Sequence, residues 1–128
     1  MFQTALPILG VSDSARAEAF YCGKLGFEQR YFHRPNANRL DPCWMGVARG
    51  GVHLVLSSFE GDGPPGSQGT QVFIENAEAV RNEFLAAGVD CGEQLMETSW
   101  GHIEFNVTDP DGNLLNFAQD VGASATEE

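Results

Sequence analysis

An apolar run over 4–11 predicts a strand. Ser12 and Asp13 then offer a helix N-cap, because a short side-chain oxygen takes up an orphan backbone N–H. Ala17, Phe20, Tyr21 and Leu25 follow on one helical face, and Gly26 stands where a left-handed residue ends a helix. Further strands are predicted over 27–33, 43–48 and 52–57. The last two are joined by Arg49-Gly50-Gly51, a hairpin signal, while 35–42 is polar and irregular.

Residues 59–68 are rich in glycine and proline and read as a linker, after which the pattern restarts. A strand is predicted over 70–74. Asn76 caps a helix carrying Val80, Phe84 and Ala87 on one face, and Gly88 ends it. A polar strand is expected over 91–96. Strands over 102–107 and 113–118 close on Asp109-Pro110-Asp111-Gly112, where proline presets the turn. The helix-ending glycines Gly26 and Gly88 lie 62 residues apart, and the hairpin glycines Gly51 and Gly112 lie 61 apart. The same apolar spacing follows each hairpin glycine: Leu54 and Leu56, then Leu115 and Phe117. The chain therefore reads as an α+β protein of two tandem βαβββ modules, over 1–58 and 69–121. The linker over 59–68 joins them, and an acidic tail over 122–128 follows.

Composition narrows the choice of partners. Seven Lys and Arg against 18 Asp and Glu give a net charge of −11. Phosphate recognition needs clustered positive charge, so nucleic acid and anionic membranes are poor partners. A negative field instead concentrates cations, although acidity also serves solubility alone. Cys22, Cys43 and Cys91 have no paired spacing and read as free thiols in a reducing cytoplasm, the compartment expected. No signal peptide is expected, and no apolar run approaches the roughly 20 residues that span a bilayer.

The run Leu6-Pro7-Ile8-Leu9-Gly10-Val11-Ser12-Asp13, then Ala19-Phe20-Tyr21 and Leu25-Gly26-Phe27, resembles the opening of a vicinal-oxygen-chelate domain. Trp100-Gly101-His102-Ile103-Glu104-Phe105, then Asp109-Pro110-Asp111-Gly112-Asn113-Leu114, resembles its close. This is the superfamily of glyoxalase I, extradiol dioxygenases, fosfomycin-modifying enzymes and bleomycin-resistance proteins. The resemblance implies curled mixed sheets with helices packed outside. In the enzymes, His, Glu or Gln hold a divalent metal near the start of the first strand and the end of the last strand of each half.

Counted by spacing, those positions fall on Leu6, Val55, Gly69 and Asn116, and a slip at Gly69 offers only Thr70 or Gln71. Leucine, valine and glycine supply no ligand, and a lone amide oxygen is weak, so no metal and no cofactor is expected. Members of the superfamily without metal ligands include the bleomycin-resistance proteins. Three features match them: Pro7 in the first strand, Trp-Gly followed by Glu-Phe, and the acidity. That resemblance implies a homodimer, with first strands exchanged around Pro7 and two ligand clefts at the interface. It also implies sequestration of cationic glycopeptide antibiotics without turnover.

Strand alternation sorts the candidate site. Ile103, Phe105 and Val107 read as core, leaving His102, Glu104 and Asn106 toward the cup with Leu114 and Asn116. Leu54 and Leu56 read as core, leaving His53, Val55 and Ser57 on the other face. Trp100, in a polar setting, is the leading ligand platform, since a flat ring offers contact area and cation–π attraction. Trp44 is a second platform by family spacing. It also matches Phe105 by the internal repeat, which would make it core, and both readings stay open. Phe32 would line the opposite wall, Asp41 and Glu104 would supply negative charge, and Ser57 would donate at the rim. His33, His53 and His102 share no metal-ligand spacing. The alternative to a binding protein is a lyase or isomerase-like enzyme acting on a small metabolite, with His53, His102 or Glu104 as acid or base.

Overall fold

The computed structural model describes residues 1–122; residues 123–128, most of the expected acidic tail, lie outside the described residues. Two βαβββ modules follow one another, and the described residues form two compact units. Of the described residues, the first unit comprises 1–68 with the turn 109–113, and the second holds 69–108 and 114–122.

In the first unit β1 (Ile8–Gly10), α1 (Ser14–Tyr21), β2 (Glu28–His33), β3 (Trp44–Arg49) and β4 (Val52–Ser57) build a mixed sheet of order β1-β4-β3-β2. β1 is parallel to β4 and the other pairs are antiparallel. β1 is shorter than the apolar run predicts. Pro7 has no N–H to give, so it joins only through its carbonyl, which accepts from Val55 N at 3.0 Å. Asp13 caps α1 by accepting from Arg16 N, and Gly26 is left-handed at φ 78°. Leu9, Leu54, Leu56, Met45, Val47 and Tyr21 are buried and form the core.

Residues 59–68, read as a linker, are bound into this unit. Glu60–Asp62 forms a 3-10 turn, Gly10 N donates to Gln68 Oε1 at 2.9 Å, and Gln68 N donates to Asn113 Oδ1 at 3.1 Å. Asp109 anchors the 109–113 turn. Its Oδ1 accepts from the N–H groups of Asp111, Gly112 and Asn113, and its Oδ2 from Tyr21 Oη and Asn113 Nδ2 at 2.8 Å each.

In the second unit β5 (Gly69–Phe73), α2 (Ala77–Ala86), β6 (Met96–Glu97), β7 (His102–Thr108) and β8 (Leu114–Asp120) repeat the plan in the order β5-β8-β7-β6. Asn76 caps α2 by accepting from Ala79 N. Phe84 of α2 packs edge-on against Phe105 and Phe117 at 6.0 and 5.2 Å, which fixes the helix face of this sheet. The polar strand expected over 91–96 is reduced to two residues, because Gly92 is left-handed and its N–H turns back to Asp90. No helix among the described residues is long and apolar enough to cross a membrane.

Candidate functional site

With Phe105, Val107, Leu115 and Phe117 committed to the buried side of the second sheet, alternation sends His102, Glu104, Asn106, Leu114 and Asn116 to its open face. β5 adds Gln71 and Phe73 to that face, since Gln71 pairs with Asn116 and Phe73 with Ala118. A cavity of about 520 Å³ opens there, lined by Gln71, Trp100, His102, Glu104, Asn106, Leu114 and Asn116 among others. That volume suits a small-molecule site.

Trp100 stands at the tip of the turn joining β6 to β7. Thr98 closes the turn: its N donates to His102 O at 2.9 Å, and its Oγ1 accepts from His102 N at 2.9 Å. Gly101 takes φ 90°, which a side chain would resist. The residue is 58% exposed, and its ring packs edge-on with His102 at 6.5 Å. A tryptophan mounted on a hydrogen-bonded turn with most of its surface left open is a contact platform.

Glu104, expected to supply negative charge, is the centre of a polar network. Its carboxylate is buried and meets His102 Nδ1 at 3.0 Å, Asn116 Nδ2 at 3.1 Å and Gln71 Nε2 at 3.5 Å. Gln71 Nε2 also donates to Asn116 Oδ1 at 2.8 Å, and Asn116 Nδ2 to Asn106 Oδ1 at 2.9 Å. Gln71 and Phe73 carry no motif. Gln71 is the residue that a slip of two from Gly69 offers, and alternation continued from it finds Phe73.

Cross-strand register shifts two of the positions chosen by spacing. Val55 pairs with Ile8 rather than Leu6, and Asn116 with Gln71 rather than Gly69. Two apolar side chains therefore meet in the first sheet, and two amides already bonded to each other meet in the second. Among the described residues no three His, Cys, Asp or Glu side chains converge. An amide pair facing one buried carboxylate is a poor donor set for a divalent ion.

Register also decides Trp44. It pairs with Ser57, which stands as far beyond Gly51 as Ala118 stands beyond Gly112. Ala118 pairs with Glu104, so Trp44 matches Glu104 and lies on the open face; Met45 takes the place of Phe105.

Phe32 departs from expectation because β2 bulges between Gln29 and Tyr31. One extra residue reverses the faces beyond it. Phe32 therefore comes into register with buried Met45, off the open face, with Arg34 above its ring at 4.5 Å. Tyr31 takes the open face instead, 49% exposed and lying across Gly46, where any side chain would strike its ring.

Asp41 and Ser57 are taken up by structure. Asp41 accepts from Ser14 N at 3.2 Å and from Ser58 Oγ at 2.6 Å, which ties the 34–42 loop to the start of α1. Ser57 Oγ is buried, donates to Asp62 Oδ2 at 2.6 Å and accepts from Phe59 N at 3.2 Å, so it is no rim donor. His53 lines a different depression with Glu28 and Arg30, and His33 stacks on Phe59. Pro7 leads into a β1 that pairs with the β4 of its own chain.

A family model described as a glyoxalase superfamily protein matches residues 1–124. The chain belongs to the glyoxalase superfamily. A bleomycin resistance protein of Geobacillus stearothermophilus is 28% identical over 135 residues, covering 91% of this chain and 96% of that protein. Among solved structures, TnmS3, an antibiotic binding protein from Streptomyces sp. CB03234, superposes with a TM-score of 0.72 at 27% identity, covering 94% of this chain and 98% of that one. The bleomycin-binding protein of Streptomyces verticillus, complexed with copper(II)-bleomycin, superposes with a TM-score of 0.70 over 97% of this chain and 98% of that one. At 23% identity that likeness shows the fold alone. The vicinal-oxygen-chelate architecture of two tandem βαβββ modules is thus shared across the superfamily members compared.

Proposed function

We propose that this protein binds and sequesters cationic glycopeptide antibiotics of the bleomycin type, without turnover, as a cytoplasmic homodimer. The observation that carries the reading is Trp100, a rigidly mounted and open indole at the mouth of a cavity whose floor holds the Glu104 carboxylate. A planar, positively charged tail would stack on the indole and gain from the ring's negative face and from the chain's net charge of −11. The names of its relatives, a bleomycin resistance protein and an antibiotic binding protein, support the same class of ligand. Trp44, on the corresponding face of the first sheet, is a second platform in this reading. Strand exchange around Pro7 would seat two such clefts at the dimer interface.

Titration with metal-free and copper-loaded bleomycin tests the proposal, followed by tryptophan fluorescence and calorimetry at low and high salt, with sedimentation reporting the oligomer. One ligand per subunit, weakened by salt and lost in Trp100→Ala, is the expected result. Absence of both heat and quenching at high micromolar ligand would refute it.

A further inference from the structure

We propose that His102, oriented by Glu104, is a general base able to take a proton from a neutral, planar carbon acid bound against Trp100. This activity goes beyond the sequestering reading and does not depend on it. The two side chains are only 16% and 10% exposed and meet through Nδ1 and Oε2 at 3.0 Å. A carboxylate facing Nδ1 fixes the proton on that nitrogen and leaves the lone pair on Nε2. Nε2 makes no hydrogen bond among the described residues. It is not sealed in either, since Nε of Arg81 is the one buried side-chain polar atom there without a partner.

Two aromatic edges hold the imidazole plane, Phe73 at 5.3 Å and Trp100 at 6.5 Å. Base, orienting carboxylate and open cavity therefore coincide, which is the arrangement a proton-abstracting site requires. The charged groups facing His102 are Glu104 on its own strand and Asp120, its register partner on β8. The nearby residues of β5 and of the 98–101 turn are uncharged. Two carboxylates beside the base disfavour an anionic substrate, and the exposed Trp100 and Leu114 favour an apolar planar one.

The probe is 5-nitrobenzisoxazole, a neutral planar carbon acid. Nε2 takes the C3 proton, the C–H electron pair becomes the third bond of a nitrile, and the N–O bond breaks. Its pair stays on oxygen as the coloured 2-cyano-4-nitrophenolate, and the imidazolium returns its proton to water. Full-length protein is expected to give saturable turnover. His102→Gln should lower it by about 10- to 100-fold while the probe still quenches tryptophan fluorescence. Glu104→Gln should lower kcat with little change in KM, because the imidazole loses the acceptor that orients it while the Trp100 face of the cavity stays intact. A His33→Gln/His53→Gln double variant should keep the rate. Turnover no faster than free imidazole at equal concentration, turnover retained in His102→Gln, or turnover lost with His33 and His53 would each overturn the assignment.

Discussion

Tyr21 offers a sharp test of what holds the 109–113 turn in the first unit. Its side chain is buried, its ring meets Phe20 and Phe27 edge-on, and its hydroxyl donates to Asp109 Oδ2 at 2.8 Å. Tyr21→Phe keeps the ring contacts and removes only that donor. A hydrogen bond to a charged acceptor contributes about 1.5–3 kcal/mol. Asp109 keeps its four N–H donors, so the lower half of that range is expected at neutral pH. Urea melts at matched protein concentration measure it, since self-association would otherwise shift the midpoint.

The pH arm of the same experiment is more discriminating. Burial, followed by the Asp109 charge, pushes the Tyr21 phenol far above its ordinary value near 10. The folded protein therefore keeps this proton in alkali while the unfolded chain loses it. Because the folded value is raised, the contribution is complete below about pH 10 and declines above it, by about 1.4 kcal/mol for one pH unit. Groups that titrate alike in both proteins cancel in the difference. The advantage of wild type over Tyr21→Phe should shrink from pH 9 to 11. A difference that stays constant over that range would refute the buried phenol–carboxylate bond, whatever its size at neutral pH.

Two further predictions concern backbone devices. Gly66 has φ 79°, and a Cβ there would collide with Asp111 O, so Gly66→Ala should cost roughly 2–4 kcal/mol; a loss below about 1 kcal/mol in urea would contradict this packing. Asn76→Ala should remove the α2 cap and cost about 1 kcal/mol, with Asn76→Asp restoring most of it, read from the same melts.

Much of the fold was legible because period and punctuation agreed. Both helices begin at a side-chain cap and are followed by a left-handed glycine, and both hairpins fall at the glycines that set the repeat. The 59–68 stretch reads as a linker because composition reports flexibility and not hydrogen bonds. Gln68 and Gly66 are what fasten it, and neither belongs to a motif. Asp41 and Ser57 looked like site residues for a similar reason. A polar side chain near a strand end advertises hydrogen bonding, and only the fold reveals that the partners are Ser14, Ser58 and Asp62.

The site itself depended on register, which alternation alone does not supply. A pattern of period two leaves a strand's faces defined only up to the next bulge. On β7 there is none, so Trp100, His102 and Glu104 could be assigned from sequence, and the open face followed. On β2 the extra residue exchanges Tyr31 for Phe32, and no local signal announces it; Gly46, whose missing side chain makes room for the Tyr31 ring, lies on the neighbouring strand. The Trp44 ambiguity has the same origin. Counting by the 61-residue offset of the hairpin glycines sets it against Phe105, whereas pairing through Ser57 and Ala118 sets it against Glu104. The two modules thus put an indole and a carboxylate at one equivalent position. That divergence explains why the polar network exists only in the second sheet. There Gln71 and Asn116 surround the carboxylate, while their register equivalents Ile8 and Val55 have nothing polar to offer Trp44. One backbone plan thus carries two chemically unlike open faces, one with the Trp44 indole beside apolar Ile8 and Val55, the other with the Glu104 carboxylate among its polar partners.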